Sequence, residues 1–144
     1  MIFRGRVIQG WSGEIRGKVL ITKSKISFLG DVDLNTGKIV GTDLDIKGER
    51  ISSKIFIFQE GRGSTAGSNV IYGLSRRGLA PKLIATHRAE LITISGAIFG
   101  GVPMISNIDE KIFNFLDNGN EAKAYIRDNE ACVEEVSEGQ NVPF

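Results

Sequence analysis

Between Gly61 and Asn69 the chain reads "GRGSTAGSN": three glycines, one arginine and hydroxyls at Ser64, Thr65 and Ser68. Residues of these types can hold an anion. Glycine lets the backbone come close to a ligand, and the N–H groups at a helix start point toward negative charge. Arg62 offers a planar fork of donors that matches a carboxylate or a phosphate. Ser64 follows Gly63, so its Oγ and its N–H can face one ligand together. A plainer reading also fits, in which the stretch is a polar connection and Ser64 or Ser68 caps the helix. Two nucleotide readings fail. No "GK[ST]" follows at P-loop spacing, and Gly61, Gly63 and Gly67 are spaced two and four apart rather than two and three. Nor does "GSTAG" match the "GxSxG" elbow of serine hydrolases.

The elements around this turn must aim it. "ISSKIFIF" before it is predicted as a strand buried in mid-sheet, and a helix is predicted after it. Ser68 and Asn69 are the expected N-cap residues, and Val70, Ile71 and Leu74 share one apolar face. Arg76 and Arg77 suit the carbonyl end, Gly78 the C′ position, and Pro81 lies just beyond. Upstream, "FRGRVIQG", "GEIRGKVLIT" and "KISFLG" read as extended structure, and "DVDLNTGKIVG" as a hairpin turning at Asn35 and Gly37. Downstream, "KLIAT" is a strand, "LITISGAIFGGVPMI" two buried strands joined by a turn, and "NIDEKIFNFLDNG" a second helix. The stretch "EAKAYIRDNEACVEEV" is a hairpin turning at "RDNE". The sum is a mixed α/β domain, with two sheet layers and one helical layer and strands outnumbering helices.

Composition narrows the chemistry. The 144 residues suit a single domain, residues 1–144, with 41% apolar and 24% charged residues and a formal charge of +1. That balance gives no steering toward nucleic acid or an anionic membrane. One cysteine, Cys132, allows no internal disulfide and cannot hold an iron–sulfur cluster or a structural zinc. His87 is equally alone. Any metal chemistry must therefore be completed by another chain. Cys132 is expected to pack and His87 to sit at a surface or a cap. No apolar run reads as a signal peptide or a bilayer span, so a cytosolic location is expected.

Three stretches together resemble one family. "FQEGRGSTAGSNVIYGLSRRGLAPKLIA", "ISFLGDVDLNTGKIV" and "AELITISGAIFGGVPMI" are similar, in order and spacing, to the small subunit of the aconitase X family. The match spans roughly residues 5 to 106. Departures are local: Leu29 replaces an aromatic residue, Asp31 a glycine and Leu34 a proline, and the region near Asp43 lacks a histidine. The resemblance implies a swivelling β/β/α three-layer domain with mixed sheets and two main helices. It implies a heterodimeric hydro-lyase whose large subunit carries a 4Fe–4S cluster, with no metal bound by this chain. Ser64 matches the family's serine base. Arg62, Gly63, Thr65, Gly67 and Ser68 become the expected substrate-binding set. Aconitases proper place an arginine shortly after that serine. Thr65 and Ala66 stand there instead, so clamping falls to Arg62 or to the partner. The implied reaction is dehydration of (R)-mevalonate 5-phosphate to trans-anhydromevalonate 5-phosphate in the archaeal mevalonate route to isoprenoids. Dehydration of another hydroxy acid, such as a hydroxyproline, is the enzymatic rival. An anion-binding assembly module without catalysis is the rival of another class.

Overall fold

A computed structural model describes residues 1–136. Seven strands close into a ring: β1 (Ile2–Gln9), β2 (Ile15–Thr22), β3 (Ile55–Phe58), β4 (Leu83–Thr86), β5 (Met104–Ser106), β6 (Glu121–Arg127) and β7 (Glu130–Glu135). Around the ring the order is β1-β5-β4-β3-β2-β6-β7. The pairs β2–β3, β3–β4 and β4–β5 are parallel, and the others are antiparallel. Parallel neighbours need a crossover, and helices supply two of them: α2 (Gly67–Arg76) joins β3 to β4, and α3 (Leu91–Gly100) joins β4 to β5. Two short helical turns, α1 (Phe28–Asp31) and α4 (Ile112–Phe115), fill connections.

Side chains alternate between two cores, as the pleat requires. Val19, Ile21, Ile55, Ile57, Leu83, Ala85 and Ile105 face the barrel interior with Phe3, Ala124 and Val133. Leu20, Phe56, Phe58, Ile84 and Met104 face the other way, against Ile71 and Leu74 of α2 and Ala97 of α3. Every residue of β3 and β4 is buried because helices cover one face and the barrel lumen the other. The two cores give the β/β/α layering that the sequence predicts.

Several predicted elements are corrected. "KISFLG" is not extended: Ser27 Oγ accepts from Gly30 N at 3.4 Å, and Asp31 Oδ2 accepts from Ser27 N at 2.8 Å. That reciprocal pair, a capping box displaced by one residue, winds 28–31 into a helical turn. The first apolar run of "LITISGAIFGGVPMI" is the helix α3, and only its end is a strand. Glu90 caps α3 through its carboxylate, which accepts from Ile92 N at 3.0 Å and Thr93 N at 2.6 Å, and Gly101 closes it at φ +68°. Caps and the need for a crossover outweigh the β-propensity of its isoleucines. The second predicted helix shrinks to α4, so the two main helices are α2 and α3. The 32–39 segment closes on itself through an isolated antiparallel bridge, Val32 with Ile39, not two strands, and Lys38 bridges outward to Arg50. Gly37 has φ +73°, whereas Asn35 stays out of the left-handed region.

Candidate active site

The turn opens at the carboxyl end of β3, on the edge of the parallel strands where α/β sheets bind ligands. Two links fix its approach. Ile26 pairs with Gly61, through Ile26 N to Glu60 O at 3.0 Å and Arg62 N to Ile26 O at 2.9 Å. On the other side Glu90 and Thr93 fill the space beside Gly61, so that no Cβ fits there. Gly63 then reverses the chain at φ +96°. A Cβ at Gly63 would come within 2.7 Å of Ser27 Oγ, which places that hydroxyl directly against the turn.

Ser64 is exposed, and its Oγ accepts from Ala66 N at 3.1 Å. Its carbonyl accepts from Gly67 N at 2.9 Å. The amides of Ser68 and Asn69 likewise turn to the carbonyls of Thr65 and Ala66. The N-cap of α2 is Ala66, not Ser68 or Asn69, and it carries no side-chain cap bond. The Ser64 hydroxyl braces the turn just before it, and Ser68 Oγ donates to Thr65 O at 2.9 Å. Of the two expected sources of donors, the helix start at Gly67–Asn69 and the turn amides, the first is therefore spent on the chain's own carbonyls. One step earlier, the amides of Gly63, Ser64 and Thr65 have no protein acceptor among the described residues. They share one exposed loop with the Ser64 hydroxyl.

Arg62 is exposed and reaches Asp31: Nη2 lies 3.8 Å from Oδ2, with Asp31 almost buried. An exposed guanidinium at that distance is weakly held and keeps other donors for a ligand. Asp31 also binds Ser27 N, and its carbonyl accepts from Val40 N at 2.7 Å, so it ties α1, the 32–39 bridge and Arg62 together. Composition and spacing offered Ser27 only as a residue that could line the cleft, and gave Asp31 and Glu90 no part in shaping this site. The Ser27–Asp31 spacing, a hydroxyl four residues before a carboxylate, was the available signal. His87 sits on the same sheet edge. Its Nδ1 donates to Ile108 O at 2.9 Å, and its Nε2 lies 3.9 Å from Glu110, which makes it a tie between loops. Cys132 is buried in β7, as a packing residue should be. Among the described residues no three His, Cys, Asp or Glu side chains gather as a metal site, and no helix is long and apolar enough to cross a membrane.

Residues 2–134 match the model of the aconitase X swivel domain. The chain belongs to that family. It is 46% identical over 109 residues to the phosphomevalonate dehydratase small subunit of Thermococcus sibiricus, covering 76% of this chain and 82% of that one. To the protein of the same name from Pyrococcus abyssi it is 53% identical over 95 residues, 66% of this chain and 73% of the relative. The crystal structure of Thermococcus kodakaraensis aconitase X in its holo form superposes with a TM-score of 0.84 at 36% identity. That match covers 95% of this chain and 99% of the other. The swivel fold expected from the three sequence stretches is thereby established, layers included.

Proposed function

We propose that this chain is the small subunit of a two-chain hydro-lyase acting on (R)-mevalonate 5-phosphate, with Ser64 as proton acceptor and Arg62, Gly63, Thr65, Gly67 and Ser68 around the substrate. The observation that carries this reading is the exposed Ser64 hydroxyl on a turn of unpaired amides, in a chain of the aconitase X swivel family. Names of the relatives support the substrate and the division into subunits.

The donor set of this chain does not fit an iron–sulfur cluster, because its one thiol is buried in β7. In the proposal the 4Fe–4S cluster belongs to the large subunit, and the work of this chain is done by oxygen and nitrogen groups. The reaction removes a proton from the carbon beside the carboxylate. The electron pair of that C–H bond forms the double bond while the neighbouring C–O bond breaks and its electrons leave with the oxygen as hydroxide, which together with the proton taken from carbon makes up the water released. Ser64 Oγ takes the proton. A serine hydroxyl is a weak base; the bond from Ala66 N favours its charged form, while removal of water when a second body closes over the turn disfavours that form and makes the oxygen, once charged, a stronger base. The amides of Gly63, Ser64 and Thr65 offer fixed donors for negative charge gathering on the substrate carboxylate. Arg62 contributes a positive charge to the phosphate or the carboxylate.

Co-expression with a candidate cysteine-bearing partner, followed by an anaerobic assay of mevalonate 5-phosphate, tests this. Formation of the anhydro product is expected from the pair and from neither chain alone. A pair that assembles and holds its cluster but leaves mevalonate 5-phosphate untouched contradicts it.

A further inference from the structure

α3 has no charged face. Only Thr93 and Ser95 among its ten residues carry polar side chains, and Thr93 is buried. A helix on the outside of a domain ordinarily turns charged residues to water. The inner face of α3 is spent on α2: a Cβ at Gly96 would lie 2.6 Å from Ile71 Cδ1, and one at Gly100 3.3 Å from Ser75 Cβ. Its outer face exposes Leu91 and Phe99, each at 76%, together with Ile98 at 48%. Leu91 and Ile98 are two turns apart on one side. Phe99 lines a hollow of about 340 Å³ with Ser68, Asn69 and Tyr72.

This apolar surface borders the reactive turn. Leu91 follows Glu90, the residue packed beside Gly61, and Ser68 of the hollow lies four residues beyond Ser64. Leu29, also half exposed, flanks the turn on its other side, its amide 3.9 Å from a Cβ placed on Gly67. We infer that Leu29, Tyr72, Leu91, Ile98 and Phe99 form the seat of the large subunit, an inference that rests on the two-chain reading above. A body that closes over the exposed Ser64 hydroxyl meets the leucines on either side of it. The partner surface is therefore apolar, with recesses for Phe99 and Tyr72 and few charges opposite them. Large aromatic side chains at the centre of such a contact carry most of its affinity.

The test uses the full chain and the candidate large subunit, with Kd measured by calorimetry. Phe99→Asp and Leu91→Asp change exposed side chains, so each variant is first checked for an unaltered melting curve. Each is expected to weaken binding at least tenfold, and the double variant to stop co-eluting with the partner. Ile126→Asp, an exposed apolar site on the β6–β7 hairpin, is expected to bind as the unmodified chain does. Wild-type affinity in the folded double variant overturns the placement while leaving the two-chain reading intact. Loss of a homodimer by Phe99→Asp, with large-subunit binding unchanged, overturns it also. Failure of the unmodified chain to bind any cysteine-bearing partner removes the two-chain reading and this inference together.

Discussion

Gly63→Ala tests whether the reactive turn is held by backbone geometry. Gly63 has φ +96°, where an L side chain is strained by about 1–2 kcal/mol. The new Cβ would lie 2.7 Å from Ser27 Oγ and 3.2 Å from Ser27 Cβ. Rotating the hydroxyl away relieves the first contact and gives up its 3.4 Å bond from Gly30 N, a long bond worth under about 1 kcal/mol. Together these give a loss of about 1–3 kcal/mol, read as a lower urea midpoint at unchanged slope. Adding Ser27→Ala removes the oxygen but not the φ strain, so the double variant should recover less than about 1 kcal/mol. In the reconstituted complex the single variant should also lose turnover, since Ser64 is the next residue. Stability within about 0.5 kcal/mol of the unmodified chain, with full turnover, would refute the claim that this backbone shape aims the serine.

Gly96→Ala sets helix propensity against packing. Alanine gains about 1 kcal/mol in a helix interior. Its Cβ meets Ile71 Cβ at 2.9 Å and Ser68 Cα at 3.1 Å, and overpacking of that kind costs about 1–3 kcal/mol. A net loss is expected in thermal or urea unfolding, and Ile71→Val in the same chain should return part of it. Glu90→Ala removes the acceptor for Ile92 N and Thr93 N and should cost about 1–2 kcal/mol. Glu90→Gln should recover part of that loss, as judged by melting midpoints. Asp33 is held below the ordinary aspartate range, first by the bond from Thr36 Oγ1 at 2.7 Å and then by Asn35 N. Its contribution is complete above the unfolded value near 3.8 and vanishes as pH falls through the lowered folded value. Unfolding of Asp33→Asn should thus differ most from the unmodified chain near neutrality, and the two curves should converge in acid.

Local patterns revealed the strands well and the helices unevenly. β3 and β4 were legible because unbroken apolar runs bounded by polar turns have few other uses. The β6–β7 hairpin was legible from its turn, and Asp128 and Asn129 do adopt positive φ. α3 was misread because its side chains say buried without saying helix. The deciding facts are a carboxylate cap at Glu90 and the crossover imposed by a parallel β4–β5 pair, which is a tertiary demand. The 28–31 turn was missed for a different reason: its signal is local, a hydroxyl four residues before a carboxylate, but it is offset by one residue from the usual capping-box spacing. Within the candidate site the sequence pointed to the 61–69 stretch, which the structure places as one turn at the end of β3. It did not tell which amides remain free, because that depends on where the helix begins: at Gly67, one residue before Ser68, with Ala66 at the N-cap. Asp31 drew notice as a departure from the family pattern, but its contact with Arg62 needed the fold to bring α1 against the turn.

The most direct test of the central claim is Ser64→Ala in the anaerobically reconstituted complex, with product formation and exchange of solvent deuterium into the carbon beside the carboxylate both followed. Turnover and exchange are each expected to fall at least ~100-fold, the scale of a lost general base, while the complex assembles with unchanged affinity. Exchange and turnover near those of the unmodified complex would contradict the assignment of the proton to this serine.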